Sequence, residues 1–283
     1  MELDRQAFDL SHGRFCALAG GDPAGRPVVY LHGFPDHPPT ATPFLLELCR
    51  RGRRVLAPWL RGYAPSPIGG PFDQQSLLED VLELIDRWSP EGEVDLVGHD
   101  WGAGLTYSAC LAAPERIGRA VTLAVPHTLT FLRQLGRPNQ MRRSWYMALF
   151  QLPGAGRLVG ARDLALVDDL WRRWSPGFSL DPARRAELHE CLAASLPAPI
   201  KYYRQALRPY TAGRARLRLL SQPIATPLLH LHGADDGCVL PPSSDDSTRF
   251  SGPYEREILP GVGHFLHLEA PEVIGERVAG WLA

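Results

Sequence analysis

The motif GHDWG at residues 98–102 has the residue types and spacing of a nucleophile on a sharp turn between a strand and a helix. An apolar run at 94–97 precedes it, and a stretch rich in small residues follows. The nucleophile position holds Asp100, whose carboxylate has no proton to lose and suits attack on a saturated carbon that carries a leaving group. The motif predicts an ester on Asp100 that water must hydrolyse. Taken alone, the same spacing also suits an ordinary turn whose aspartate caps the helix.

Hydrolysis of such an ester requires a base that activates water and an acid that orients the base. Both residue types follow late strand-like segments, in the order nucleophile, acid, histidine. Asp235 and Asp236 follow the segment 227–233, and His264 follows the segment 255–259. We expect His264 to be the base and Asp236 to be the acid, with Asp235 as a turn residue. Three groups in this order favour catalysis over a capping aspartate.

The oxyanion formed during ester hydrolysis needs backbone N–H donors. We expect them at Trp101, directly after the nucleophile, and at Phe34, in the loop that follows the buried strand 27–31. His32 is expected to hydrogen-bond within that loop. His99 is expected to pack beneath the nucleophile turn, without a catalytic role.

The composition of the 283 residues bounds the class of protein. Hydrophobic residues make up 45% of the chain, which supports a sizeable core, and a net charge of −1 gives no reason to expect a nucleic-acid partner. The five cysteines show no metal-binding spacing, so we expect neither a metal site nor a cofactor. No apolar run reaches 18 residues, so no membrane span is expected. The N-terminus lacks the features of a signal peptide, which favours a cytoplasmic location.

Strand and helix patterns alternate along most of the chain, which predicts a mostly parallel sheet covered by helices. Strands are predicted at 27–31, 54–58, 94–97, 119–125, 227–233 and 255–259. Helices are predicted at 42–51, 73–88 and about 102–113, and from about 271. The segment 128–214 contains helix-like stretches and no clear strand. We therefore expect a helical lid over 128–214, inserted between two parts of one core, 1–127 and 215–283.

The motifs HGFP at 32–35, GHDWG at 98–102 and GHF at 263–265 resemble those of the α/β-hydrolase-fold epoxide hydrolases. The resemblance covers nearly the whole chain. It implies the α/β-hydrolase fold, with a mostly parallel central sheet, helices on both faces and an inserted helical lid. It also implies a hydrolase that opens a small apolar epoxide to a vicinal diol through a covalent ester on Asp100.

The same resemblance implies two lid tyrosines whose hydroxyls grip the epoxide oxygen. The segment 144–154 is similar to the family segment that carries the first, at Tyr146, and the segment 201–204 is similar to the one that carries the second, at Tyr203. Tyr202 stands where the family usually has tryptophan. Aromatic residues of the lid suggest a largely apolar site: Phe131, Trp145, Trp171, Trp174 and Phe178.

Two other functions are consistent with parts of this pattern. Haloalkane dehalogenases share the aspartate nucleophile and hold the halide with side-chain N–H donors. Trp101 would serve as one donor, but Phe34 stands where many of them have asparagine and has no donor to offer. A hydrolase-fold protein that binds a small molecule without turnover is the second alternative. The presence of all the catalytic residue types argues against it.

Overall fold

The computed structural model describes residues 2–206, 217–242 and 246–283, and its strands form one eight-stranded sheet in the order β1-β2-β4-β3-β5-β6-β7-β8. The pairs β1–β2 and β2–β4 are antiparallel, and every other pair is parallel. The strands are β1 Asp4–Leu10, β2 Gly13–Gly21, β3 Pro27–Leu31, β4 Arg54–Pro58, β5 Val94–His99, β6 Ile117–Leu123, β7 Leu228–Gly233 and β8 Tyr254–Leu259. This architecture confirms the predicted fold class.

The central strands are apolar runs because both of their faces are covered. Every residue of β5 and β7 is buried. The edge strand β1 is exposed over most of its length and lacks an apolar alternation, so its sequence gave no strand signal. The prediction of a strand at 119–125 was two residues late. Strand β6 begins at Ile117 and ends before Ala124, whose φ of 65° interrupts the extended backbone.

Helices α1, α2, α3, α11 and α12 accompany the sheet, and four of them lie where helices were predicted. Asp73, placed inside the predicted helix 73–88, is its N-cap: the side chain accepts a hydrogen bond from Ser76 N at 3.1 Å. The short helix α11 was not predicted. Their bounds are α1 Thr42–Arg50, α2 Gln74–Trp88, α3 Trp101–Ala112, α11 Leu266–Glu269 and α12 Pro271–Trp281.

Between β6 and β7 the described residues contain helices α4 to α10, a further helical stretch at 217–220 and no strand; residues 207–214 of the predicted lid lie outside the described residues. We call these seven helices the inserted helices: α4 Thr128–Leu135, α5 Pro138–Arg143, α6 Trp145–Leu149, α7 Ala155–Val159, α8 Ala161–Trp174, α9 Pro182–Ser195 and α10 Lys201–Ala206.

The inserted helices contact loops at the carboxyl ends of the strands. The Trp171 indole donates to the Pro35 carbonyl at 3.0 Å, and its ring stacks on Phe265 with centroids 3.7 Å apart. The Tyr202 hydroxyl donates to the carbonyl of Arg61. These loops follow β3, β8 and β4, so the inserted helices lie at the sheet edge where α/β folds bind ligands. Within the described ranges, no helix has the length and apolar character that a membrane span requires.

Candidate active site

Asp100 lies on the turn between β5 and α3 with φ 51° and ψ −114°, a backbone conformation that non-glycine residues rarely adopt. Neighbouring glycines make this turn possible. A Cβ on Gly98 would lie 2.3 Å from the Gly102 carbonyl oxygen, and a Cβ on Gly102 would lie 1.9 Å from that of Leu31. A Cβ on Gly33 would lie 2.3 Å from the Asp100 Cβ. The glycines therefore let the loop, strand and helix close around the carboxylate.

The structure brings His264 and Asp236 to the Asp100 carboxylate. His264 Nδ1 lies 2.9 Å from Asp236 Oδ2, and its Nε2 lies 3.8 Å from Asp100 Oδ2. All three residues are buried, whereas Asp235 is exposed. Because the Asp236 carboxylate accepts the proton on Nδ1, Nε2 carries the lone pair of the neutral ring. Among the described residues Nε2 has no hydrogen-bond partner, so it is able to accept a proton.

The Asp236 carboxylate is held by two backbone donors. Its Oδ1 accepts from Cys238 N at 2.7 Å and from Val239 N at 2.8 Å. Because these bonds hold Oδ1, they fix the orientation of the carboxylate, and its other oxygen, Oδ2, faces His264. Burial alone would lower the pKa of His264, but the charge and hydrogen bond of Asp236, together with the Asp100 charge, raise it above the ordinary value.

One of the two expected oxyanion donors hydrogen-bonds to the Asp100 carboxylate: the Phe34 N–H donates to Oδ1 at 2.8 Å. Burial raises the pKa of Asp100, while the nearby His264 and the backbone N–H groups of Phe34 and Trp101 oppose the rise. Oδ2 is the oxygen that faces the histidine.

Tyr146 in α6 and Tyr203 in α10 come together beside this carboxylate. Both side chains are buried, and their ring centroids lie 5.7 Å apart. The Trp101 ring meets the Tyr203 ring edge to face, with centroids 5.0 Å apart. Burial is the main cause that raises the pKa of each tyrosine, and the Asp100 charge adds to it. Both phenols are therefore neutral and able to donate protons or hydrogen bonds.

The alpha/beta hydrolase family model matches residues 28–277. The chain belongs to this family. It is 26% identical to epoxide hydrolase 3 of Xenopus tropicalis, over 95% of this chain and 74% of that protein. It is 28% identical to epoxide hydrolase A of Mycobacterium tuberculosis, over 97% of this chain and 94% of that protein. These relatives confirm the resemblance drawn from the motifs.

The solved structure of an epoxide hydrolase from Bacillus megaterium in complex with an inhibitor has the same fold. It superposes with a TM-score of 0.84 at 21% identity, covering 98% of this chain and 99% of that one.

Aromatic rings surround the candidate site near Tyr203 and His264. Phe34 and Phe150 lie 5.6 and 5.1 Å from the Tyr203 ring, and Trp174 lies 5.2 Å from His264, centroid to centroid. The expectation that Trp145 lines the site was wrong, since its side chain is 41% exposed. Adjacent helical residues point in different directions, so the inward position of Tyr146 turns its neighbour outward.

Sequence reasoning missed Cys238. Its Sγ lies 3.4 Å from the Tyr146 hydroxyl, and the thiol is buried. Its place two residues after Asp236 is the signal that could have placed it near the site. Burial, with the charges of Asp236 and Asp100, raises its pKa well above the ordinary value. Cys238 is therefore a neutral thiol that contacts a tyrosine rather than a reactive thiolate.

Proposed function

We propose that this α/β hydrolase opens an epoxide to a vicinal diol through an ester on Asp100. The observation that carries the proposal is one juxtaposition: the buried Asp100 carboxylate lies 3.8 Å from a ring nitrogen of His264, and its charge acts on two buried, neutral tyrosines. The histidine suits ester hydrolysis, and the hydroxyls suit a leaving oxygen that develops negative charge. The relatives named as epoxide hydrolases support the same substrate class.

In the first step, Asp100 Oδ2 attacks one epoxide carbon. The ring C–O bond breaks, and its electron pair moves to the epoxide oxygen. Tyr146 and Tyr203 hydrogen-bond to that oxygen, and one of them gives it a proton; the phenolate then regains a proton from solvent. Because Oδ1 already accepts from Phe34 N, Oδ2 is the freer oxygen for the attack.

In the second step, His264 Nε2 takes a proton from water as the water oxygen attacks the ester carbon of Asp100. The electron pair moves to Oδ1, where the N–H groups of Phe34 and Trp101 stabilise the oxyanion. Collapse breaks the bond between the ester carbon and Oδ2, and His264 returns the proton to the departing diol. The diol leaves with the former Oδ2, and the water oxygen remains in Asp100, which is now a carboxylic acid. That acid releases its proton to solvent, which restores the carboxylate and balances the proton that the phenolate took up in the first step. Asp236 orients the base throughout.

Isotope labelling and two variants test this sequence of steps. After many turnovers in heavy-oxygen water, mass spectrometry of the parent should find the label in Asp100. Asp100→Ala should have no turnover, whereas Asp235→Ala, at the exposed neighbour of the acid, should keep the parent rate. A folded, fully active Asp100→Ala enzyme contradicts the mechanism.

His264→Gln separates the two steps. Attack by Asp100 needs no base, so this variant should gain the mass of one substrate and release no diol. A folded His264→Gln protein that forms no adduct would place the histidine in the first step instead.

A screen of epoxides and haloalkanes, with product identification, distinguishes the alternatives. Diol formation without halide release supports the proposal, and chloride or bromide release from haloalkanes supports a dehalogenase. The geometry favours the former, because two buried, neutral tyrosines pack together at the site and Phe34 offers no side-chain donor. Tight binding of an epoxide without any product would support the non-catalytic alternative.

A further inference from the structure

A second polar cluster lies in the protein interior, made by Asp36, His99 and His267. Asp36 follows β3, His99 ends β5, and His267 lies in α11. All three side chains have no exposed surface. One potential ligand atom from each residue lies within 4.8 Å of the other two. Because the three residues are far apart in sequence, no spacing pattern revealed the cluster, and the sequence predicted no metal site.

Each member of the cluster has one polar atom without a hydrogen-bond partner in the described part of the chain. These atoms are Asp36 Oδ2, His99 Nδ1 and His267 Nδ1. A buried polar atom left unpaired is destabilising, so each one in a folded protein requires a physical explanation. Three such atoms, from three segments that meet in one place, indicate a ligand that binds all of them.

The remaining polar atom of each residue is already held. His99 Nε2 lies 3.0 Å from the His264 carbonyl oxygen, His267 Nε2 lies 2.8 Å from the Tyr30 hydroxyl, and Asp36 Oδ1 accepts from the Thr40 hydroxyl. Metal-binding histidines and carboxylates typically have such a partner on the side away from the metal, because it fixes the orientation of the ligand.

The hydrogen bonds also define where the lone pairs are. A carbonyl only accepts, so His99 Nε2 carries the hydrogen and Nδ1 presents a lone pair. The Tyr30 hydroxyl can accept from His267 in the same way, which leaves the lone pair of His267 on Nδ1. A carboxylate oxygen is the third acceptor. A water molecule has two hydrogens for three acceptors, whereas one cation satisfies all three.

We propose that Asp36, His99 and His267 bind a divalent transition-metal ion, with zinc as the best match. Two imidazole nitrogens and one carboxylate oxygen form a ligand set that Zn²⁺ accepts, and a water can supply a fourth ligand. The site is structural and takes no part in the proposed reaction. His99 precedes the nucleophile and bonds to the carbonyl of His264, so a bound ion ties the nucleophile turn to the loop of the base.

Metal titration of the full chain tests the proposal. Protein stripped with a chelator and then exchanged into chelator-free buffer should bind one Zn²⁺ or Co²⁺ per chain, measured by calorimetry and by elemental analysis after gel filtration. Co²⁺ should give visible absorption typical of a nitrogen and oxygen site. The ion should raise the melting temperature in proportion to the logarithm of its concentration over Kd. Mg²⁺, which prefers oxygen ligands, should have no such effect.

Variants identify the ligands. His267→Gln should lose binding, while His127→Gln, at a buried histidine outside the cluster that also has an unpaired ring nitrogen, should bind like the parent. Tyr30→Phe removes only the outer partner of His267 and should weaken affinity about 10- to 100-fold. Asp100→Ala should bind metal normally, so the site is tested independently of the proposed epoxide chemistry.

Two outcomes overturn the proposal. One is a parent protein that retains neither Zn²⁺ nor Co²⁺ and shows no shift in melting temperature with either. The other is a folded His267→Gln variant that binds with the parent affinity. Should His267→Gln fail to fold, unchanged affinity in Tyr30→Phe decides against the site.

Discussion

The protonation state of His264 determines which chemical step depends on pH. Burial favours the neutral ring, but the Asp236 charge and hydrogen bond, with the Asp100 charge, raise the pKa of His264 above its ordinary value of 6.5. A base must be neutral to take a proton from water. Ester hydrolysis should therefore slow as pH falls through the pKa that His264 has in the ester intermediate, where Asp100 no longer carries a charge and the Asp236 charge still opposes the effect of burial. Attack by Asp100 should not follow the same curve.

Single-turnover mass spectrometry, which follows the rise and decay of the Asp100 adduct, measures both steps. The decay rate should fall as pH is lowered, and Asp236→Asn should move its inflection to lower pH because a charge that raises the pKa of His264 is removed. If the rate of adduct formation and the rate of adduct decay showed the same pH inflection, the proposed division of roles would be contradicted.

Tyr146 and Tyr203 should act in the first step only, because the alkoxide forms there. If they share the epoxide oxygen, loss of one hydroxyl should cost about 1–3 kcal/mol of transition-state stabilisation, roughly 5- to 150-fold in rate. The double variant Tyr146→Phe, Tyr203→Phe should slow adduct formation much further and leave adduct decay unchanged. Tyr202→Phe is the matched control, since that hydroxyl donates to the Arg61 carbonyl. A double variant with the parent rate would favour the dehalogenase.

At the scale of residues, the sequence predicted those site residues that lie in the loops after strand ends. Phe34, Asp100, Asp236 and His264 each follow the end of a strand by one to five residues, so the topology brings them to one edge of the sheet. Contacts that depend on side-chain direction were not predictable. The cluster of Asp36, His99 and His267 requires the relative placement of three segments, and no local pattern encodes it.

At the scale of elements, the turn between β5 and α3 depends on Gly102, whose Cα lies against β3. Gly102→Ala would place a Cβ 1.9 Å from the Leu31 carbonyl, and β3 cannot retreat because it pairs with β4 and β5. We expect a loss of about 3 kcal/mol or more in the free energy of unfolding. Gly104, two residues along α3, is the matched control, since a Cβ there meets nothing nearer than 3.8 Å.

Gly104→Ala should stabilise the protein by about 1 kcal/mol, because alanine has the higher helix propensity. Urea unfolding of the parent and both variants measures the difference. Equal effects of the two substitutions would show that helix propensity, rather than the close approach of α3 to β3, governs this turn.

Most core elements were predictable because apolar runs and helical periodicity are local signals. Strands β3 and β4 and helix α2 lie within a residue of the predicted ranges. The hairpin of β1 and β2 was missed because β1 is an exposed edge strand without an apolar pattern. Pairing with β2 holds it in the extended conformation. The inserted helices were predicted only as a helical region. Their short lengths and the turns between them depend on packing against the core.

At the scale of the whole molecule, the inserted helices pack against loops of the sheet at the candidate site. Trp171 stacks on Phe265, which follows His264, and its indole donates to Pro35, which follows Phe34. The same side chain thus holds the loop of the proposed base and the loop of an oxyanion donor. Because this contact is buried and central, we expect the inserted helices and the sheet to unfold in one cooperative transition.

Trp171→Ala tests this coupling. Loss of the buried ring should lower the free energy of unfolding by about 3–5 kcal/mol and slow both adduct formation and adduct decay, since loops on both sides of Asp100 lose support. Trp171→Phe keeps a stacking ring but loses the hydrogen bond and part of the buried ring volume, so it should cost more than the ~1 kcal/mol of the hydrogen bond alone and less than Trp171→Ala. Urea transitions followed by far-ultraviolet circular dichroism and by tryptophan fluorescence should coincide in the parent. An earlier fluorescence transition, with Trp171→Ala shifting that transition alone, would mean that the inserted helices fold independently of the sheet.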